Sequence, residues 1–288
     1  MRARTNATPT STTAGILRPE QFAAHATVAR PSASSDLTEW VENHWLLTWD
    51  LPDGATYSSQ TLPHPACTIS VERGHPRAGV GAERVLVTGV VTRRFDVTLA
   101  RRGWVYGAKF RPGGFTALTG VPARAVTDRT APADGLLPSD VRAALATLDG
   151  LTHPRPVDEV VAVAEIAMRS FTPDPGDSDY QIVLDVVADM LADRALIRVT
   201  EIEERHGISA RRLQRLFAHY VGVGPKWVLA RYRMHDVVAA IDQGYDGALA
   251  DLAATFGWFD QAHFGRDFTR LVGMPPSEYR DRGAQPSA

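Results

Sequence analysis

The sequence predicts an α+β chain of two domains, β-rich at the N-terminal end and all-α at the C-terminal end. Three observations predict it. Between Trp40 and Phe110, short runs rich in Val, Thr and aromatic residues alternate with Gly, Pro and charged breaks. From Ser139 onward the apolar residues recur at helical spacing instead. Near the C-terminal end, one pattern is written twice, about fifty residues apart.

Residues 1–14 are mostly Thr, Ala, Ser and Pro with little to bury, and read as a disordered tail. The runs "HWLLTWDL", "CTISVE", "RVLVTGVV", "RFDVTLA" and "WVYGAKF" read as strands of a small barrel or sandwich. "SDVRAALATLDG" and "PVDEVVAVAEIAMRSF" read as helices, the second with Pro156 at its start and Asp158 and Glu159 in its first turn. "TPDPGDSD", 172–179, is the linker candidate. Beyond it, apolar residues at 182, 183, 186, 187, 190 and 191 form one helical stripe. Thr200 and Glu203 fit a capping box for the next short helix.

The two copies align closely. Ile202 and Gly207 match Leu252 and Gly257 at an offset of 50. Leu213, Arg215, Phe217, Gly222 and Pro225 match Phe264, Arg266, Phe268, Gly273 and Pro276 at an offset of 51, so the second copy has one extra residue in its turn. Each copy is a short helix, a turn with Gly and a second helix, a layout whose second helix can enter a major groove. In the first copy Leu213, Leu216, Phe217 and Tyr220 form the buried stripe, leaving Arg211, Gln214, Arg215 and Ala218 outward. In the second, Phe264, Phe268 and Leu271 are buried, and Ala262, Gly265, Arg266 and Thr269 face outward. A helix from Pro225 to Gln243 or Gly244 joins the copies and spans roughly 28 Å, close to the roughly 34 Å between successive major grooves.

The segment from Tyr180 to Arg282 resembles the DNA-binding domain of AraC/XylS-type transcription regulators. The residues that carry the likeness are Leu252, Ala253, Phe256, Gly257, Asp260, Gln261, Phe264, Arg266, Phe268, Gly273, Pro276, Ser277, Tyr279 and Arg280. The resemblance implies a bacterial, sequence-specific DNA-binding transcription regulator with two helix-turn-helix units on a long helix. It places the DNA-binding domain at 180–282, followed by a tail at 283–288, and a sensor and dimerisation domain at 15–171. The latter would be a cupin-like barrel or sandwich at 40–112 with helices at 113–171. The partners implied are double-stranded DNA in two successive major grooves, a small-molecule effector, a second copy of the chain, and RNA polymerase if the protein is an activator.

The residues expected at DNA are Arg211, Arg212, Gln214 and Arg215 in the first copy, and Gln261, Ala262, His263 and Arg266 in the second. Arg suits guanine and Gln suits adenine, while Ala262 and Gly265 permit only close or apolar contact, as with a thymine methyl. Arg215 and Arg266 fit a phosphate equally well. Arg212 lies to the side of the outward face, and His263 reads better as a flanking residue than as a base reader. From Arg205 to Arg233 the chain carries seven basic residues and no acid; from Met234 to the end it carries four basic and eight acidic ones. Phosphate neutralisation supplies most non-specific affinity, so the first copy is expected to anchor and the second to tune.

Other chemistry is weakly signalled. His44, His64 and His75 invite a metal reading, but no H-x-H occurs and His64 and His75 sit beside Pro, so no metal or cofactor is expected. Two further readings stand beside the regulator: an oxygenase-like, metal-dependent enzyme in the N-terminal barrel, and a ligand-independent dimeric regulator. A fused DNA-repair alkyltransferase would need several cysteines, and Cys67 is the only one. It reads as a buried thiol in a strand. No catalytic residue is expected, and the chain is not read as an enzyme. With no disulfide, no signal-peptide core and no run approaching the roughly 20 apolar residues of a membrane helix, it reads as cytoplasmic with no membrane partner.

Overall fold

The computed structural model describes residues 15–74, 80, 83–149, 156–174 and 176–283, the side chains of 282 and 283 excepted. The predicted tail 1–14, His75, position 175 of the predicted linker and positions 284–288 lie outside the described residues.

The N-terminal half is a two-layer sandwich. Strands β1 (Ala26–Ala29), β2 (Val41–Asp50), β4 (Thr68–Arg73), β5 (Val85–Thr88), β7 (Arg102–Phe110) and β8 (Thr130–Pro132) form one antiparallel sheet in the order β1-β2-β7-β4-β5-β8. Strands β3 (Thr56–Thr61) and β6 (Phe95–Ala100) pair as a separate ribbon. The predicted strands are present. They close no hydrogen-bonded ring among the described residues, so the sandwich alternative holds and the barrel does not. Strand β3 was not predicted, its run "TYSSQT" being polar but for one Tyr, and neither were a short helix α1 (Pro19–Ala23), β1 and β8. The last three are too short to carry a periodic pattern.

Strand alternation gives the sheet two different faces. His44 and Leu46 of β2, and Trp104, Tyr106 and Ala108 of β7, are buried on the face away from the ribbon. The helices α2 (Gly114–Thr119), α3 (Ser139–Ala146) and α4 (Val157–Met168) join that core. There the His44 ring lies 2.7 Å from the Tyr106 hydroxyl and 3.2 Å from Glu165, whose carboxylate also accepts from the Ser34 N–H. On the opposite face Trp45 and Trp49 lie over Gly107 and Gly103, where a Cβ would come within 2.2 and 2.3 Å of the indole rings. Any larger residue would lift these rings. Between this face and the ribbon lies a cavity of about 210 Å³ with mostly apolar walls.

The C-terminal half is helical: α5 (Ser178–Ala192), α6 (Val199–His206), α7 (Ala210–Tyr220), α8 (Pro225–Asp242), α9 (Leu249–Thr255), α10 (Gln261–Val272) and α11 (Pro276–Gly283). Helix α5 starts inside the stretch read as linker, because Asp177 accepts from the Tyr180 N–H and caps it. The predicted capping box is corrected. Helix α6 begins at Val199, and it is Glu201 rather than Glu203 that reaches back, accepting from the N–H groups of Ile197 and Arg198. The connecting helix α8 runs within a residue of the expected limits, with Pro225 at its first turn.

Candidate nucleic-acid interface

Two helix-turn-helix units flank α8, α6–α7 before it and α9–α10 after it. Gly207 and Gly257 both take positive φ, 62° and 80°, in the turns. Ser209 caps α7 and Asp260 caps α10, each accepting an N–H three residues on. From glycine to cap the second turn is longer by one residue, as the two offsets require. The room is made by Trp258, which is buried, and Phe259, which is 95% exposed.

Burial follows the helical wheel. Leu213, Leu216, Phe217 and Tyr220 are buried on α7, and Phe264, Phe268 and Leu271 on α10. On the outer face Arg211, Arg212, Gln214, Arg215 and Ala218 are exposed, as are Gln261, Ala262, His263, Arg266 and Thr269; Gly265 is half-buried. Eighteen residues of α8 at about 1.5 Å each separate the units by roughly 27 Å.

The structure sorts the basic run into committed and uncommitted charges. Arg205 pairs with Asp193 at 3.1 Å and Asp189 at 3.6 Å. Arg212 pairs with Asp179 at 3.2 Å. Arg231 is buried, 4.5 Å over the Trp227 ring, and donates to the Thr92 carbonyl; burial lowers its guanidinium to about 9. Arg233 stacks 4.2 Å over Trp258 and donates to the Phe256 carbonyl. Arg211, Arg215 and Lys226 remain exposed, with no acidic partner among the described residues. Sequence counting missed this because the neutralising acids lie on α5 and at its C-cap, upstream of the run. On α10, Asp267 accepts from the Trp258 indole and pairs with Arg270 and His263. His263 is thus tied along its own helix, while Arg266 is exposed and uncommitted.

Both units are docked on the sandwich. Thr116 donates to the Tyr220 carbonyl at the end of α7, and Thr127 to the Gly222 carbonyl. Leu17 and Leu62 enter the core of the second unit. His64 and His235 of α8 meet with ring centroids 4.2 Å apart. No helix among the described residues is long and apolar enough to cross a membrane, and no three His, Cys, Asp or Glu among them are grouped to hold a metal ion.

Two helix-turn-helix units on one rigid helix, each with an amphipathic second helix capped and exposed, define a DNA-binding domain. Residues 202–282 match the profile of a family described as a helix-turn-helix domain, and residues 29–132 match one described as Domain of unknown function (DUF6597). A protein of Streptomyces lividans named as an AraC-like transcription regulator is 28% identical over 88 residues, 31% of this chain and 29% of that protein. A Proteus vulgaris protein named as a transcription factor, PqrA, is 27% identical over 90 residues, 31% of this chain and 73% of that one. The shared segment thus spans under a third of the first relative. Among solved structures, an AraC-type DNA-binding domain protein of Chromobacterium violaceum is 23% identical over 38% of this chain and 98% of its own, with a TM-score of 0.34. ToxT of Vibrio cholerae O395 is 12% identical over 91% of this chain and 98% of its own, with a TM-score of 0.40. Residues 202–282 are thus a helix-turn-helix domain, and it is similar to the corresponding part of AraC-like transcription regulators.

Proposed function

We propose that the whole chain is a cytoplasmic transcription regulator that reads two successive major grooves with α7 and α10. The observation that carries this is the pair of matched outer faces, Arg211, Gln214 and Arg215 on α7 against Ala262, Gly265 and Arg266 on α10, held on one rod. Arg211 and Gln214 read base edges, Arg215 and Arg266 hold bases or phosphates, and Gln261 supplies the second unit's polar contact. Arg212 and His263 stand at the margins and contribute less.

The domain limits proposed are 15–171 for the effector and dimerisation part, 172–179 for the linker and 180–282 for the DNA-binding part. The cavity between sheet and ribbon is the proposed effector site. As a regulator the protein carries no catalytic residue of its own, and as an activator it would touch RNA polymerase. Gel shift with genomic fragments across a salt series tests the reading. Sequence-preferring binding that weakens with salt is expected; binding without sequence preference, or none, would overturn it.

A further inference from the structure

The cavity between sheet and ribbon has one unusual wall. Asn43 is 2% exposed, lines the cavity, and has no hydrogen-bond partner for either its Nδ2 or its Oδ1 among the described residues. A buried amide left so is unfavourable, so its place needs a reason. Asn43 reaches the cavity face by the alternation it shares with Trp45 and Leu47, opposite Lys109 in the unbroken part of the β2–β7 register, and the shift between Val41 and Asn43 re-aims only Val41, which joins the helix-side core.

Two cations that line that end, Lys109 and Arg30, share one carboxylate. Lys109 Nζ is 2.8 Å from Glu42, and the Glu42 charge also acts on Arg30. Two residues beyond Asn43 on the same face, Trp45 lines the cavity with its indole flat over Gly107. The rest of the wall is apolar, with Leu47, Phe95, Val97 and Val105 among it.

We infer that this cavity takes a flat aromatic carboxamide or lactam, its ring against Trp45 and its amide edge paired with Asn43. An amide offers one donor and one acceptor side by side, which is what Asn43 lacks. The two amides close a ring of two N–H···O bonds. A carboxylate would satisfy Nδ2 but set its lone pairs against Oδ1. A ketone would leave Oδ1 without a donor. This inference rests on the effector site proposed above and names its ligand chemistry.

The experiment is titration of the full chain with benzamide, benzoate and acetophenone, followed by thermal shift and calorimetry. Benzamide is expected to bind most tightly, and Asn43→Leu to weaken it by about tenfold or more while leaving acetophenone nearly unchanged. Benzoate binding more tightly than benzamide, Asn43→Leu binding benzamide as the unaltered chain does, or no binding of benzamide at millimolar concentration would each overturn the inference. The ranking of the three probes on the unaltered chain stands whether or not the variant folds. Gel shift on the same preparations separates the two readings: DNA binding without benzamide binding sinks the ligand assignment alone, and benzamide binding without DNA binding sinks the regulator alone.

Discussion

Arg94 donates from Nη1 to the carbonyl of Val272, 2.9 Å away. The first residue stands just before β6 and the second ends α10, so one bond ties the ribbon to the second helix-turn-helix unit. Two further bonds of 2.6 Å to Asp96 hold the guanidinium flat. The acceptor is one of the carbonyls a helix leaves unpaired at its C-terminal end, where a cation is favoured. Gly273 follows with φ 89°, and a Cβ there would fall 1.9 Å from the same nitrogen. Arg94→Ala should cost about 1 kcal/mol, the lower range for a charge-assisted bond because the site is partly solvated. Hydrogen exchange should quicken around residues 268–279 and stay unchanged in α7. Equal quickening in both units would mean that the bond has no local role.

The sorting of the basic residues predicts unequal effects at DNA. Arg211→Ala should weaken specific binding by about 1–3 kcal/mol and relax preference at one position. Arg205→Ala should change binding little, since its charge is spent on Asp189 and Asp193. Arg266→Ala should fall between them. Fluorescence anisotropy on a selected operator measures all three, and a larger loss for Arg266→Ala than for Arg211→Ala would reverse the ranking of the two units.

Gly107→Ala should destabilise the sandwich by about 1–3 kcal/mol, because the new methyl meets the Trp45 indole rather than a flexible side-chain end. The displaced indole should also change the tryptophan emission. An unchanged urea midpoint would show that Trp45 can leave without cost.

Acid should unfold the chain early. His44, His64 and His235 are all held below the ordinary 6.5, chiefly by burial, His235 down to about 3. Lys109, Arg30 and Arg231 press His64 in the same direction. A base whose folded pKa is lowered binds its proton first in the unfolded chain, so stability falls as pH drops below 6.5. Each of the three contributes up to about 1.4 kcal/mol per pH unit. Asp242 opposes them with one proton: its carboxyl, desolvated under Tyr279, is raised to about 6, although the residue as a whole is exposed. Urea unfolding at pH 7.5 and 5.5 should show the loss, and His235→Leu should make the slope shallower. A flat profile would contradict the neutral buried pair.

Cys67 is fully buried and its thiol is pushed up to about 12 by desolvation. It should stay unmodified by a thiol reagent at pH 8 in the native state and react at once in denaturant. Rapid native labelling would mean that β4 opens on its own.

Much of the DNA-facing half was legible because amphipathic helices write their buried face into the sequence every 3.6 residues. The stripe of Leu213, Leu216 and Phe217 by itself turns Arg211 and Arg215 outward, and Gly207 and Gly257 mark the turns. The strands were legible as runs but not as an architecture. Nothing in "WVYGAKF" states that Gly107 lies beneath Trp45, and "ATVA" at 26–29 is too short to announce an edge strand. Asn43 stands between Glu42 and His44 in a run of three polar residues, and only the tertiary structure shows that it lines a cavity without a partner of its own.

What the sequence by itself determined is therefore local and periodic: two helix-turn-helix units, the rod between them, and the one-residue difference in their turns. These follow from spacing, and spacing survives without a fold. Tertiary structure alone decided which charges are available. Arg205 and Arg212 lost theirs to acids on α5, Arg231 was buried against Thr92, and Arg211, Arg215 and Arg266 kept theirs. It also decided that the sandwich is hollow beside Asn43. Both depend on residues far apart in the chain meeting in space, and pairing and burial are properties of that meeting, which no window of sequence contains.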